Sequence, residues 1–217
     1  MNKKVYNLII VDESGSMSII RQQALAGMNE TLDTIRKVQD THGDIEQHVT
    51  LLTFDSTHTT FVYDDVLAAN TRVMTLADYN PGGATPLYDA IGIGISKLNA
   101  ITAADDNVLV TIITDGQENC SREYNLRMVK NLIDKLKTNG WTFTFIGTDN
   151  LDVEGMAADM GISNHLAFAQ TEAGTRAMFK REKRSRERFY DFMCLGKIMD
   201  EGDYFNGDDE EDNSNKR

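Results

Sequence analysis

Cysteine is nearly missing: Cys120 and Cys194 are the two in a chain of 217 residues. Two thiols cannot make the multiply bridged framework on which small secreted domains rely, so a disulfide scaffold is excluded and a reducing compartment is the simpler expectation. Long apolar runs are also missing. Nothing approaches the roughly 20 apolar residues that cross a bilayer. The apolar stretch 8–11 behind Lys3-Lys4 is too short for a secretory core and stops at Asp12-Glu13. The reading is therefore a soluble, cytoplasmic protein with no membrane partner.

Positive charge is in deficit, with 22 Lys and Arg against 34 Asp and Glu and a net charge of −12. Nonspecific nucleic-acid binding draws on released counterions and needs the opposite excess, so no nucleic-acid partner is expected. His42, His48, His58 and His165 have no metal-ligand spacing and no cysteine cluster beside them. Gly92-Ile93-Gly94 lies inside a helical pattern and lacks the third glycine of a dinucleotide fingerprint, and no phosphate-binding Gly-Lys-Ser/Thr loop occurs. The small residues there point to close helix–sheet packing instead.

What remains is globular in kind. Hydrophobic residues make up 41% and charged residues 26%, which excludes a fibre or wholesale disorder. The length suits one full domain with an appendage, expected as a domain over 1–190 and an extension over 191–217. Disorder is expected from Asp200 onward, where Asp208-Asp209-Glu210-Glu211-Asp212 stands among few apolar residues.

Strand-like and helical patterns alternate along the chain. Residues 5–11 form an apolar run suited to the middle of a parallel sheet. In 18–39, Leu25, Met28, Leu32 and Ile35 recur at helical steps, with Ser18 as the expected N-cap. A strand over 49–54 precedes an antiparallel edge strand over 57–66. Helices over 87–99, 123–137 and 153–160 alternate with strands over 108–113, 142–146 and 165–168. A last helix begins near Thr171, and its basic run, 180–188, reads as a solvated end, with Phe189, Tyr190 and Phe192 packing back on the domain. This rhythm is that of a three-layer α/β, doubly wound, mostly parallel and Rossmann-like sheet.

The chemistry gathers where strands give way to loops, the place at which open α/β sheets bind ligands. The first strand runs into Asp12-Glu13-Ser14-Gly15-Ser16, with oxygen-bearing side chains at alternate positions. A second loop, Asn80-Pro81-Gly82-Gly83-Ala84-Thr85-Pro86, holds both prolines of the chain and presents Thr85 just before a helix that Pro86 is placed to open at its first position. The strand over 108–113 leads into Thr114-Asp115-Gly116. Taken singly, the serines could be caps and Asp115-Gly116 a turn. Glu118 and Asn119 read as solvated loop. Together the three loops offer the oxygen donors that hard divalent cations take.

In order and spacing, Asp12-x-Ser14-x-Ser16, Thr85 in Gly-Gly-Ala-Thr-Pro-Leu-Tyr-Asp-Ala, and Asp115 in Thr-Asp-Gly closely resemble the metal-ion-dependent adhesion site of von Willebrand factor A-like domains. The resemblance covers about residues 5–168. It implies a six-stranded, mostly parallel sheet with one antiparallel edge strand, carrying Mg2+ at its top, with Mn2+ or Ca2+ as possible substitutes. It also implies metal ligation by Ser14, Ser16 and Thr85, with Asp12 and Asp115 acting mainly through water or switching between direct and indirect contact. One coordination position is left for an Asp or Glu of a protein partner. Binding rather than turnover follows, in the manner of a cytoplasmic adaptor of prokaryotic type. The competing expectation is a Mg2+-dependent phosphotransferase or phosphatase with Asp12 as nucleophile. It is weakened by Ser14, which stands where a general acid would be needed.

Overall fold

The computed structural model describes residues 3–41, 45–197 and 199–206. β1 (Lys3–Asp12) leads through a 3-10 turn (Gly15–Ile20) into α1 (Arg21–Thr41). β2 (Ile45–Phe54) and β3 (Thr59–Leu67) form a hairpin, and a second 3-10 turn (Ala68–Asn70) follows. Then come α2 (Leu87–Asn99), β4 (Asn107–Thr114), α3 (Leu126–Lys137), β5 (Trp141–Thr148), α4 (Val153–Asp159), β6 (Asn164–Phe168) and α5 (Glu172–Cys194). The six strands make one sheet in the order β3-β2-β1-β4-β5-β6. Every pair is parallel except β2–β3, the expected edge hairpin.

Alternation along the strands sorts the core into two layers. Val5, Ile9 and Val11 face the side covered by α1 and α5. Tyr6, Leu8 and Ile10 face α2, α3 and α4. A chain buried on both faces of its sheet reads as a continuous apolar run, which is why β1 was legible. Close packing sets some positions. At Gly27 an added Cβ would stand 2.0 Å from the Phe179 ring, so α1 and α5 meet there only for want of a side chain. At Gly94 an added Cβ would stand 2.7 Å from Leu52, the helix–sheet contact expected of that small residue.

Several local expectations need correction. Ser18 lies inside the 3-10 turn, and Ser14 takes the N-cap position without a side-chain cap bond, which leaves its hydroxyl for other partners. Pro86 is the N-cap of α2 rather than its first helical residue. α3 starts later than 123 because Asn125 caps it by accepting from the Met128 amide. The Asp89 carboxylate meanwhile accepts from the amides of Arg122, Glu123 and Tyr124 and holds them in a loop.

The larger correction concerns the basic run. Residues 180–188 lie in the middle of α5 rather than at a solvated end, and Arg186 is fully buried. Its guanidinium donates to Glu182 at 2.7 Å, Thr111 at 2.8 Å, Asn7 at 3.0 Å and the Tyr190 hydroxyl at 3.3 Å. Asn7 occupies the face between Val5 and Ile9, so a polar residue of the central strand meets the helix there. Phe189 and Tyr190 are buried as expected, and α5 continues past 190 to Cys194. The expectation of disorder from Asp200 fails for 200–206. Tyr204 and Phe205 are buried, and Arg181 and Arg188 donate to the carbonyls of Phe205, Tyr204 and Asp203. The acidic stretch 208–212 and His42 lie outside the described residues.

Candidate metal centre

β1 is the strand from which the chain departs in both directions, with β2 on one side and β4 on the other. Loops that leave its carboxyl end and that of β4 therefore diverge and open a crevice between them. Asp12 is the last residue of β1 and Asp115 the first after β4, so both carboxylates reach that crevice from adjacent strands.

The loops are stitched to one another by backbone. The Gly15 amide donates to the Gly83 carbonyl at 3.1 Å, and the Gly82 amide to the Glu13 carbonyl at 2.8 Å. Gly83 has φ +68°, a conformation that suits glycine. The Asn119 amide donates to the Thr85 carbonyl at 3.1 Å while its side-chain oxygen accepts from the Thr85 amide at 2.9 Å. Glu118 accepts from the amides of Tyr88, Cys120 and Ser121. Both residues were expected in a solvated loop. Instead they lock the second and third loops together.

Within that frame the five predicted residues converge. Ser14 and Ser16 hydroxyls lie 3.3 Å apart, and Ser16 donates to Asp115 Oδ1 at 2.7 Å. Asp12 Oδ1 accepts from the Ser14 amide at 2.7 Å, and Oδ2 accepts from the Thr114 hydroxyl at 2.6 Å. Thr85 is placed through Gly116: a Cβ at that glycine would stand 2.8 Å from Thr85 Oγ1 and 3.6 Å from Asp12 Oδ2. Asp12, Ser14, Thr85 and Asp115 are all buried. The Tyr79 hydroxyl donates to the Asp12 carbonyl at 2.7 Å and closes the floor.

The donor set fits a hard cation. Among the described residues no Lys, Arg or His forms an ion pair with Asp12 or Asp115, although two carboxylates sit side by side out of water. Burial pushes the Asp12 carboxyl above its ordinary range, against the donors from Thr114 and Ser14. Burial, with the charge of Asp12 added, pushes Asp115 up to about 6. A divalent ion among oxygen donors removes that cost. Among the described residues no group of three or more His, Cys, Asp or Glu is arranged to hold a metal. The present centre differs in kind, with two carboxylates among three hydroxyls, and suits Mg2+, Mn2+ or Ca2+ better than a soft ion.

One contributor had no signal in the sequence. Gln170, between β6 and α5, donates through Nε2 to Asp115 Oδ2 and, at 3.3 Å, to the Ser16 carbonyl. It belongs to no motif, and only the tertiary fold brings it to the crevice.

A family model described as von Willebrand factor type A domain matches residues 8–186. A search among curated proteins finds no match. Solved structures share the fold. The PilB minor pilin from Streptococcus sanguinis superposes with a TM-score of 0.61 at 13% identity, over 87% of this chain and 62% of the pilin. The vWF domain of the type V pili tip protein Mfa5 from Porphyromonas gingivalis gives 0.61 at 11% identity, over 87% and 96%. Proximal thread matrix protein 1 from the mussel byssus, in a structure with zinc in its MIDAS motif, gives 0.60 at 16% identity, over 82% and 47%. The chain thus spans less than two thirds of the pilin and about half of the byssus protein.

Proposed function

This chain belongs to the von Willebrand factor type A domain family, and from that premise we propose that it is a protein-binding module which captures a partner's Asp or Glu through a divalent cation, Mg2+ foremost. Ser14, Ser16 and Thr85 hold the ion directly, and Asp12 and Asp115 act through water or switch between indirect and direct contact. When bound, the ion supplies a concentrated positive charge that neutral hydroxyls quench little, and so attracts an incoming carboxylate. The observation that supports this most is the convergence of two buried, unneutralised carboxylates with three hydroxyls at the crevice beside β1. A MIDAS motif carrying zinc in the mussel protein shows that a relative of this fold holds a divalent ion.

The phosphotransferase reading has less support. Both oxygens of Asp12 are tied to donors and its side chain is fully buried, so it is poorly placed for attack on phosphorus. Solved structures that share this fold are named as a minor pilin and a pilus-tip domain, which suits binding rather than turnover. A cytoplasmic adaptor remains our reading, supported by a content of two cysteines in 217 residues, too few for a disulfide framework. The test is a pull-down with the wild type and Asp12→Ala, each in Mg2+ and in EDTA. A partner retained by the wild type in Mg2+ alone is the expected result. Capture that ignores both chelator and substitution would move the binding surface elsewhere.

A further inference from the structure

Gln170 enters the crevice from outside the three motif loops, and its own position is tightly set. The Thr171 amide donates to the Ala169 carbonyl at 2.7 Å, and Thr171 Oγ1 caps α5 by accepting from the Gly174 amide at 3.0 Å. A Cβ at Gly174 would stand 2.2 Å from the Ala169 carbonyl oxygen, so the turn and the helix start are packed together. From this fixed turn the Gln170 amide reaches Asp115 Oδ2 and the Ser16 carbonyl. A carbonyl and a carboxylate only accept here, so the amide must present its nitrogen to both.

The consequence falls on Asp115. One of its oxygens, Oδ2, is held by Gln170, and the other, Oδ1, faces the Ser16 hydroxyl. The carboxylate therefore turns a single oxygen toward the hydroxyl cluster. Ca2+ gathers six to eight oxygens and often takes both of one carboxylate, whereas Mg2+ demands six at short distance and is served by one. We infer that Gln170 sets the cation preference of the site: when Asp115 contacts the ion directly, Gln170 leaves it one oxygen to offer, which favours Mg2+ and Mn2+ over Ca2+. This inference rests on the metal-binding reading proposed above.

Calorimetric titration of the full chain with MgCl2, MnCl2 and CaCl2 tests it, beside Gln170→Ala and the isosteric Gln170→Glu. Melting of each metal-free chain serves as the control for folding. The wild type should prefer Mg2+ to Ca2+. Both variants lack the amide donor, and in both the Ca2+-to-Mg2+ affinity ratio should rise about tenfold or more. An unchanged ratio in variants that melt like a Mg2+-binding wild type overturns the role of Gln170 alone. A wild type that binds none of the three ions overturns the metal reading and this inference with it.

Discussion

At position 116 the lack of a side chain lets Thr85 and Asp12 come together, since a Cβ there would meet Thr85 Oγ1 at 2.8 Å. Gly116→Ala should therefore weaken Mg2+ binding by about tenfold, comparable to disturbing the orientation of a ligand in other metal sites, while the metal-free chain melts nearly as before. Isothermal titration calorimetry checks it. Arg186 makes the opposite point, a charge whose removal is felt because its partners stay behind. With Glu182 buried beside it, Arg186→Met should cost about 3–5 kcal/mol in urea unfolding, and joining Glu182→Leu to it should recover part of that loss. The motif residues were legible only as a set, because Ser14, Ser16 and Asp115 each suit a cap or a turn alone and point to a cation only in combination with Asp12 and Thr85. Arg186 was not: its neighbours Asn7 and Thr111 come from strands 179 and 75 positions away, and a run of charges on a helix looks solvated until the sheet beneath it is known.

The elements followed periodicity closely where burial was two-sided, as in β1 and β4, and less closely where side chains capture backbone. Asp89 and Asn125 together delay α3, and Ser14 with the 3-10 turn delays α1; such capping arrangements depend on where a distant carboxylate arrives. The segment between β3 and α2 has its own clasp. Asp78 accepts from Arg72 Nη1 at 2.8 Å and from the Thr75 amide at 2.7 Å. Arg72 foremost holds this carboxyl well below the usual range. A depressed folded value means that its stabilisation is whole above the unfolded pKa of about 3.9 and drains away as pH falls toward the folded one. Urea midpoints of the wild type and Asp78→Asn should differ at pH 7 and draw together below about pH 3.

For the whole molecule, a ligand that binds only the native state stabilises it in proportion to the logarithm of its concentration. Mg2+ at a hundred times its dissociation constant would add about 2.7 kcal/mol, and at this chain length that raises Tm by about 5–10 °C. Scanning calorimetry should show the rise in the wild type, its loss in EDTA, and none in Asp12→Ala. The layer order and the position of the crevice followed from strand rhythm alone. The seating of Tyr204 and Phe205 did not, since an acidic neighbourhood conceals two aromatic anchors that arginines of α5 draw in through backbone carbonyls.

The bonds from Gly15 to Gly83, from Gly82 to Glu13 and between Asn119 and Thr85 are made by peptide groups and one side-chain amide, none of which the ion needs. The cradle is consequently assembled before its guest arrives. Loading then requires no refolding, and its speed should follow how fast each cation sheds its hydration water, with manganese entering sooner than magnesium.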